Sequence, residues 1–463
     1  MRSQATAGAL CALVFTAVTA FAQIAQTPSA QNEAMPLLRD VSRVALRNVR
    51  IVDGTGTPAR QNQTLLIEGG RIRAVGSAAE IEVPEGARTL DLDGRTVLPG
   101  FVMLHEHMFY ASENDNTHPQ PFTSPRLFLA FGLTTIRTAG TDHPYVDLNL
   151  KRSVDAGEVP GPEMHLTSPV MNGAVMNGFL GDKVVRNPED ARGFVRYWAA
   201  EGFTSFKAYQ LLSRDALAAA IDEAHRLGLP VTAHLGSSVT CREAVELGID
   251  NLEHAFGPCT RRTKDDLGTD PDGQRAQDFI RLLIARKVVL TFTPGTRNLP
   301  LSPDQVELLH PERREQYDRE QRATAEGSGP SRPNEATRQF PGRLTLAFAR
   351  AGGRLVLGSD PNNLGEGRMP GLAAQDTIKQ VVRVGFTPLE TIRMATLDGA
   401  TFLGIQNRTG SIAAGKEADL QVVRGAPDQD IRDIDNLEIV FANEIAYDPA
   451  LLLSRVKGLV GWR

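Results

Sequence analysis

The feature that most constrains the fold is a repeated alternation of short apolar segments with helical patterns, which begins at Phe101. Short apolar runs are typical of buried strands, and strands that alternate with helices build parallel sheets. The candidate strands are 101–104, 133–138, 164–166, 203–209, 230–234, 249–254, 288–292 and 354–358. A count of about eight favours an α/β protein with a closed (β/α)8 TIM barrel over an open doubly wound sheet. The open sheet is weakened further because the chain has no G-x-G-x-x-G turn.

Both ends of the chain carry a different pattern, with apolar and polar residues in alternation. This pattern covers 44–52 and 64–75, and β character returns at 420–423 and 437–441. A period of two predicts half-buried strands. We therefore expect a small composite β-sandwich of residues 44–98 and 406–463 beside a barrel of residues 99–405. Within the barrel, the polar stretches 259–273 and 294–340 predict long loops over its C-terminal mouth.

The first 22 residues predict a signal peptide, followed by a flexible tail at 23–43. Arg2 supplies a positive start, 7–20 is largely apolar, and small residues flank Phe21 at the cleavage spacing. The alternative is an N-terminal membrane anchor, but the run is shorter than the roughly 20 residues that span a bilayer. We therefore expect a periplasmic or secreted protein without stable membrane insertion.

Two cysteines, Cys241 and Cys259, remain after the predicted signal peptide. An oxidising compartment permits a disulfide if the geometry suits it. Spacing alone does not give that geometry, and the interpretation that we favour is two buried thiols.

The overall charge argues against nucleic acid as a partner. The net charge is −5, and no run of lysine and arginine is interleaved with aromatic residues. With 41% hydrophobic and 23% charged residues, the composition is that of an ordinary globular protein. A small-molecule substrate is therefore the expected partner, and the sequence leaves a homo-oligomer open.

Residues that can bind a metal stand at the ends of several predicted strands. His105 and His107 are two apart after an apolar strand, so their imidazoles share one face. His234, His254 and Asp360 each follow a strand of their own. A lone histidine at such a place is often a solvated or hydrogen-bonded residue, but barrel enzymes build their active sites from strand ends. The recurrence favours a metal site.

Lys207 ends a buried-looking strand, where an unpaired ammonium is costly. One interpretation is a salt bridge to a nearby acid. Another is a carbamate formed with carbon dioxide, which is anionic and can bridge two metals. Tyr209 has the same-face spacing and is a candidate substrate contact, with packing as the alternative. Arg297 is a candidate for binding a substrate carboxylate, although most arginines in such loops are solvated.

The order and spacing of these residues resemble the amidohydrolase superfamily, within the group of Xaa-Pro, Xaa-Arg and Xaa-Lys dipeptidases and imidazolonepropionase-like proteins. The resemblance covers about 44–448. The motifs that carry it are LPGFVMLHEHM at 98–108, GLTTIRTAG at 132–140, FTSFKAY at 203–209, EAHRLGLPVTAHLG at 223–236, GIDNLEHAFG at 248–257 and LVLGSDPN at 355–362. One departure is Met103, where relatives usually carry aspartate. It suggests an outlying branch.

The resemblance implies a site for two divalent metal ions, usually Zn²⁺. It assigns His105, His107 and Asp360 to the more buried ion, His234 and His254 to the more exposed ion, and carboxylated Lys207 to the bridge between them. Imidazolonepropionases use a single metal and do not need this lysine. Lys207 therefore points toward the dipeptidase-like branch.

The function expected from this site is hydrolysis of an amide bond, in a peptide or an N-acyl amino acid, by a metal-bridging hydroxide. Asp360 is the expected catalytic residue, because a carboxylate there can take the proton of the water and pass it to the leaving amine. The alternatives are hydrolysis of a cyclic amide, lactone or carbamate, and a non-catalytic periplasmic metal-binding protein. The last is disfavoured because all six ligands are retained.

Overall fold

The computed structural model describes residues 36–38, 43–111, 117–175, 183–261, 267–268, 270–294, 300–326, 335–362 and 368–461. The predicted signal peptide, residues 1–22, lies outside these ranges, as does most of the predicted tail at 23–43. Arg297 also lies outside the described residues.

The described chain alternates strands and helices through its central part and is mainly β at both ends. The strands are β1 (Pro36–Leu38), β2 (Arg43–Ile51), β3 (Arg60–Glu68), β4 (Arg71–Ser77), β5 (Arg88–Asp91), β6 (Arg95–Pro99), β7 (Phe101–Glu106), β8 (Phe109–Ala111), β9 (Thr117–Pro119), β10 (Leu133–Thr138), β11 (Glu163–His165), β12 (Thr167–Asn172), β13 (Lys183–Val184), β14 (Ser205–Ala208), β15 (Val231–Ala233), β16 (Asn251–Glu253), β17 (Val289–Phe292), β18 (Leu355–Leu357), β19 (Leu420–Arg424), β20 (Leu437–Ala442) and β21 (Ile445–Tyr447).

The helices lie mostly between the barrel strands. They are α1 (Thr123–Ala130), α2 (Pro144–Asp155), α3 (Pro188–Glu201), α4 (Arg214–Arg226), α5 (Cys241–Leu247), α6 (Gly257–Arg261), α7 (Gln274–Ala285), α8 (Pro303–Val306), α9 (Pro311–Ala325), α10 (Glu335–Arg350), α11 (Leu372–Val384), α12 (Pro388–Arg393), α13 (Gly399–Phe402) and α14 (Pro449–Val456). A π-helical turn covers Met394–Asp398, and a 3₁₀ helix covers Ile431–Asp435.

The barrel strands are parallel and form two arcs. One arc has the order β11-β10-β7, and the other has the order β13-β12-β14-β15-β16-β17-β18. At one seam the chain itself connects the arcs, because only Leu166 separates the end of β11 from the start of β12. At the other seam the backbone N–H groups of Ser359 and Asp360 donate to the carbonyl of His105, at 3.2 and 2.9 Å. The predicted TIM-barrel arrangement is confirmed, but the hydrogen-bonded ladder is not continuous around it.

The small β unit is one sheet built from both ends of the chain, with the order β1-β21-β20-β19-β6-β2-β3-β4 and with β5 paired to β2. Its core consists of buried aliphatic and aromatic side chains from both ends, among them Val44, Leu65, Val422 and Phe441. β1 falls inside the segment predicted as a tail and pairs with β21. The sequence did not predict β1, because three residues are too few to show an alternating pattern and because its pairing partner, β21, lies at the other end of the chain.

Local signals explain why the barrel helices begin where they do. α4 begins directly after Ser213, whose side chain accepts a hydrogen bond from the N–H of Ala216 at 3.3 Å. Before α5, Thr240 and Glu243 form a reciprocal capping box. These caps set the length of the loops that follow the strands, and the site is built from those loops.

The stretch 294–340 is not the long irregular loop predicted from the sequence. It contains α8, α9 and the first turn of α10. α9 has the sequence PERREQYDREQRATA, which is polar nearly all round, so it lacks the apolar stripe that reveals a helix. The chain just before α9 is held by the C-terminal segment: the N–H of His310 donates to the carbonyl of Val460, at 2.9 Å.

Among the described residues, no helix is long and apolar enough to cross a bilayer.

Cys241 and Cys259 form a disulfide, with their Cα atoms 5.5 Å apart. The prediction of two buried thiols was therefore wrong. Cys241 begins α5 after β15, and Cys259 lies in α6 after β16. β15 and β16 are neighbours in the sheet, which places the two loops side by side. That adjacency is a property of the sheet and not of the 18-residue separation along the chain.

Reducing this disulfide is expected to lower the free energy of unfolding by about 3 kcal/mol, the loop-closure value for a separation of 18 residues. The measurement is a urea titration with and without reductant. The Cys241→Ser/Cys259→Ser variant is the control and should not respond to reductant. Identical unfolding midpoints of the wild-type protein in both conditions would contradict the prediction.

Candidate metal centre

The predicted ligands meet at the carboxyl end of the parallel strands. His105 lies in β7 and His107 directly follows it, while His234 and His254 directly follow β15 and β16. Asp360 lies just past β18. Neighbouring parallel strands bring their carboxyl ends to one edge, so residues more than 250 positions apart in the chain become neighbours.

The backbone turns abruptly where two of these residues leave their strands. His254 and Asp360 have φ values of 60° and 52°, in the left-handed region that side chains other than glycine rarely adopt. Such conformations persist where the surrounding structure holds them, and they cluster at functional sites. For Asp360, the hydrogen bond from its backbone N–H to the carbonyl of His105 helps to stabilise this backbone conformation.

The end of β18 lies unusually close to β7. A Cβ atom at Gly358 would stand 2.2 Å from Cβ of His105, so only glycine permits this approach. Glu106, between the two histidines, accepts hydrogen bonds from the N–H and the hydroxyl of Ser359 at 3.0 and 2.6 Å. The approach brings Asp360 within reach of both histidines of the H-x-H motif.

One oxygen of Asp360 faces two imidazoles. Oδ1 lies 3.1 Å from Nε2 of His107 and 3.5 Å from Nε2 of His105. The carboxylate is held from the other side by Arg368, whose Nη2 donates to Oδ2 at 3.1 Å. Nδ2 of Asn362 donates to Oδ1 at 3.0 Å. These contacts orient the carboxylate toward the histidine pair.

The second histidine pair faces the same space. Nδ1 of His234 lies 3.1 Å from Nε2 of His254, so at most one of these nitrogens carries a proton in that contact. Nδ1 of His254 is paired with the hydroxyl of Thr293 at 2.7 Å. The rings of His254 and His105 are 4.6 Å apart between centroids, which connects this pair to the first.

Lys207 lies on β14 with 2% of its side chain exposed. Its Nζ is 3.8 Å from Oε1 of Glu253, so the unmodified amine has the salt-bridge partner that one interpretation required. Burial lowers the pKa of Lys207 below its usual value, although the charge of Glu253 opposes this effect. Tyr209 is near the site, because its ring centroid is 5.0 Å from that of His234.

The protonation states of His107, His254 and Asp360 suit metal binding. Burial lowers the pKa of His107, and it lowers that of His254 far below its usual value, which keeps these rings neutral. Burial alone would raise the pKa of Asp360, but the charge of Arg368 and the contacts with His105 and His107 hold it well below its usual range. Neutral imidazoles and an ionised carboxylate are the forms that bind metals.

The donor set fits a divalent metal such as Zn²⁺. Ligand atoms of His105, His254 and Asp360 all lie within 4.8 Å of one another, while His107 and His234 each contact a member of this trio. Imidazole nitrogen and carboxylate oxygen are common zinc ligands. Nδ1 of the buried His107 has no hydrogen-bond partner among the described residues, so these residues alone do not satisfy this ring.

Three charged residues at the site were not identified from the sequence. Glu253 and Arg137 are fully buried within strands, and a charged residue inside an apolar strand was a signal that could have revealed both. Arg368 follows 363–367, which are outside the described residues, and no local pattern marks it. Its role depends on a contact with Asp360, eight residues earlier.

Residues 96–446, which include every barrel strand, match the amidohydrolase family. The chain belongs to this family. This is a family of hydrolases that bind divalent metals.

Two characterised relatives resemble parts of this amidohydrolase. It is 38% identical over 80 residues to N-substituted formamide deformylase of Arthrobacter pascens, covering 17% of this chain and 14% of that protein. It is 24% identical over 190 residues to enamidase of Eubacterium barkeri, covering 35% and 49%. The chain thus matches less than half the length of either relative.

A solved structure extends the likeness to the whole amidohydrolase fold. A Xaa-Pro dipeptidase with bound methionine in its active site superimposes with a TM-score of 0.65 at 19% identity, covering 88% of this chain and 100% of that one. At this identity the likeness shows the fold, a TIM barrel with a β domain, and not the substrate.

Proposed function

We propose that this amidohydrolase cleaves an amide bond in a dipeptide or an N-acyl amino acid, using two divalent metal ions, with Zn²⁺ as the first choice. The observation that carries the proposal is the convergence of four imidazoles and the ionised carboxylate of Asp360 at one end of the barrel. Divalent metals bound there supply hydroxide near neutral pH and polarise the carbonyl to be attacked.

Each ligand has a proposed place. His105, His107 and Asp360 would hold one ion, because Oδ1 of Asp360 lies within 3.5 Å of Nε2 of both histidines. His234 and His254, with nitrogens 3.1 Å apart, would hold the other. Lys207, as a carbamate, would bridge the two ions. Its burial favours the neutral amine that reacts with carbon dioxide.

Asp360 is also the proposed proton carrier. Its carboxylate is ionised, and Arg368 and Asn362 hold it in one orientation. A carboxylate so placed accepts a proton from the attacking water and returns it to the leaving amine. Tyr209, beside His234, and Arg297 are the proposed contacts to the rest of the substrate.

The choice of an amide follows from the family and from the names of its relatives, which include a formamide deformylase, an enamidase and a Xaa-Pro dipeptidase. The test is a screen of dipeptides, N-acyl amino acids, cyclic amides, lactones and carbamates, scored by released amine or acid. Turnover confined to the last three classes would overturn the choice of substrate. No turnover by fully metal-loaded protein would favour the non-catalytic alternative.

We also propose that the protein is exported. The N-terminal pattern of Arg2, the apolar run at 7–20 and the small residues around Phe21 supports this proposal. The disulfide between Cys241 and Cys259 supports it independently, because such bonds persist in oxidising compartments. Amino-terminal sequencing of the protein recovered from the cell envelope tests it, and an intact Met1 would contradict it.

Purified mature protein is expected to contain about two divalent ions per chain, because two clusters of ligands are proposed. Chelation should abolish turnover, and Zn²⁺, Co²⁺ or Mn²⁺ should restore it. Elemental analysis measures the metal content. His225→Ala is the matched control, since this histidine lies on α4 and its Nε2 pairs with Oδ2 of Asp250, at 2.9 Å, and not with a proposed ligand. A content that stays at one or below after reconstitution would refute the two-metal assignment.

A further inference from the structure

Glu253 is a fully buried carboxylate beneath the proposed metal ligands. It lies on β16, one residue before His254, and 0% of its side chain is exposed. Asn251 is two positions earlier and therefore shares its face of the strand. A carboxylate in this environment is stable only if it is paired and hydrogen-bonded, so its partners define what it does.

Both oxygens of Glu253 are engaged. Oε1 accepts hydrogen bonds from Nη2 of Arg137 and from the hydroxyl of Thr232, each at 2.6 Å. Oε2 lies 2.7 Å from Nδ1 of His105. Nζ of Lys207 is 3.8 Å from Oε1. One carboxylate therefore contacts two of the six proposed ligands.

Arg137 fixes this carboxylate in place. It comes from β10 and is 1% exposed. Its Nε donates to the carbonyl of Leu104 on β7 at 2.8 Å, and Nη1 and Nη2 lie 3.3 Å from Oδ1 of Asn251 on β16. Because the guanidinium is planar and contacts two other strands, it leaves Glu253 little freedom to move.

The contact with His105 determines which ring nitrogen carries the proton. An ionised carboxylate only accepts hydrogen bonds, so Nδ1 of His105 must be the donor. In the neutral ring the free lone pair is then on Nε2, which is the nitrogen 3.5 Å from Oδ1 of Asp360. A carboxylate behind a histidine in this way orients the ring and strengthens it as a ligand.

We propose that Glu253, held by Arg137, is a positioning residue for metal binding, because it accepts the Nδ1–H of His105 and so presents Nε2 to the metal. This rests on the proposed function in that His105 is taken as a ligand. Nη2 of Arg137 and the hydroxyl of Thr232 both donate to Oε1, each at 2.6 Å, which pairs the carboxylate and leaves Oε2 to accept from His105.

The first test compares the Zn²⁺ affinity of Glu253→Gln with that of the wild-type protein, by competition against a chromophoric chelator. A 10- to 100-fold loss is expected, as for other residues behind metal ligands. Asp419→Asn is the matched control: this buried acid bonds to Thr409 at 2.9 Å and contacts none of the proposed ligands. Wild-type affinity in Glu253→Gln would overturn the proposal.

A merely structural role for Glu253 gives a different result in a second variant. Loss of the carboxylate leaves the buried charge of Arg137 unpaired, and that alone could disturb the site. Arg137→Met/Glu253→Gln removes both charges. If Glu253 only balances Arg137, the double variant should recover wild-type Zn²⁺ affinity. If Glu253 positions His105, the affinity should remain low.

The third measurement needs neither metal nor turnover. In metal-depleted wild-type protein with ¹⁵N-labelled histidine, the resonance of His105 should show a proton on Nδ1, with His105→Gln used for assignment. A proton on Nε2 instead would overturn the proposal even if Glu253→Gln fails to fold. Because this readout does not depend on two metals or on a substrate, it can fail while the proposed function stands, and it can hold if the proposed function fails.

Discussion

Replacing Lys207 with alanine is expected to remove one metal ion and to lower kcat/KM by about a thousandfold. The proposed carbamate would supply negative charge between two cations, and its loss would leave them with less charge compensation. Loss of one ion is expected to remove several kcal/mol of transition-state stabilisation. Each tenfold decrease in rate corresponds to about 1.4 kcal/mol. Elemental analysis and steady-state kinetics measure the two effects.

Rescue experiments separate a bridging role from other roles of Lys207. Acetate or formate in excess has oxygens spaced like those of a carbamate and should partly restore metal content and turnover in Lys207→Ala. The Lys207→Arg variant should not respond, because its guanidinium fills the space and repels the ions. Two metals and near-normal turnover in Lys207→Ala without added carboxylate would show that the lysine is structural.

The fold of Lys207→Ala must be checked separately, because the side chain has a structural contact as well. Nζ of the unmodified Lys207 lies 3.8 Å from Oε1 of Glu253, and Cγ of Lys207 lies close to Gly140. The change removes apolar atoms from a buried position, and a loss of about 2 to 5 kcal/mol in unfolding free energy is typical of such truncations. Circular dichroism and urea titration of the metal-depleted protein show whether the barrel persists.

Replacing Asp360 with asparagine is expected to lower kcat by about a hundredfold to ten-thousandfold, the range for loss of a proton-transfer residue. Asparagine keeps the size of the side chain and an oxygen that can accept from Arg368, which donates to Oδ2 at 3.1 Å. It lacks the second anionic oxygen that takes the proton. The metal content should fall less than the turnover.

The pKa of Asp360 sets how its contribution depends on pH. Burial alone would raise that pKa, but the charge of Arg368 and the contacts with His105 and His107 together hold it well below the usual value. The carboxylate is therefore ionised at all pH values above its depressed pKa, and its stabilising pairing with Arg368 is lost only as the pH falls through that value. An acid limit of activity near pH 6 would belong to other groups.

A matched control for Asp360→Asn is Asp147→Asn. Asp147 is a buried acid on α2 that accepts a hydrogen bond from Thr141, and burial raises its pKa to about 7. It contacts none of the proposed ligands, so kcat should stay within a few-fold of wild type. If Asp360→Asn behaves like this control, the proton carrier is another group and the proposed mechanism is wrong at that step.

The sequence by itself determined the type of fold and the identity of the proposed metal ligands. Short apolar strands alternating with helices predicted the barrel, and this prediction depends only on local periodicity. His105, His107, His234, His254 and Asp360 were identified because each ends such a strand. In parallel sheets, position along a strand is enough to place a side chain at the active-site edge.

Some features could not follow from local pattern. The disulfide between Cys241 and Cys259 required that β15 and β16 be neighbours. Strand β1 pairs with β21 at the other end of the chain, and α9 lacks the apolar stripe by which helices are detected. In each case the stabilising partner is distant in sequence or the local signal is absent.

Only the tertiary structure decided how the buried charges are paired. Arg137, Glu253 and Lys207 come from β10, β16 and β14, and no spacing in the chain relates them. Arg368 likewise reaches Asp360 from beyond the end of β18. A buried charge is stable only next to a partner. Which residue comes within hydrogen-bond distance of it depends on long-range packing and not on the periodicity of the sequence.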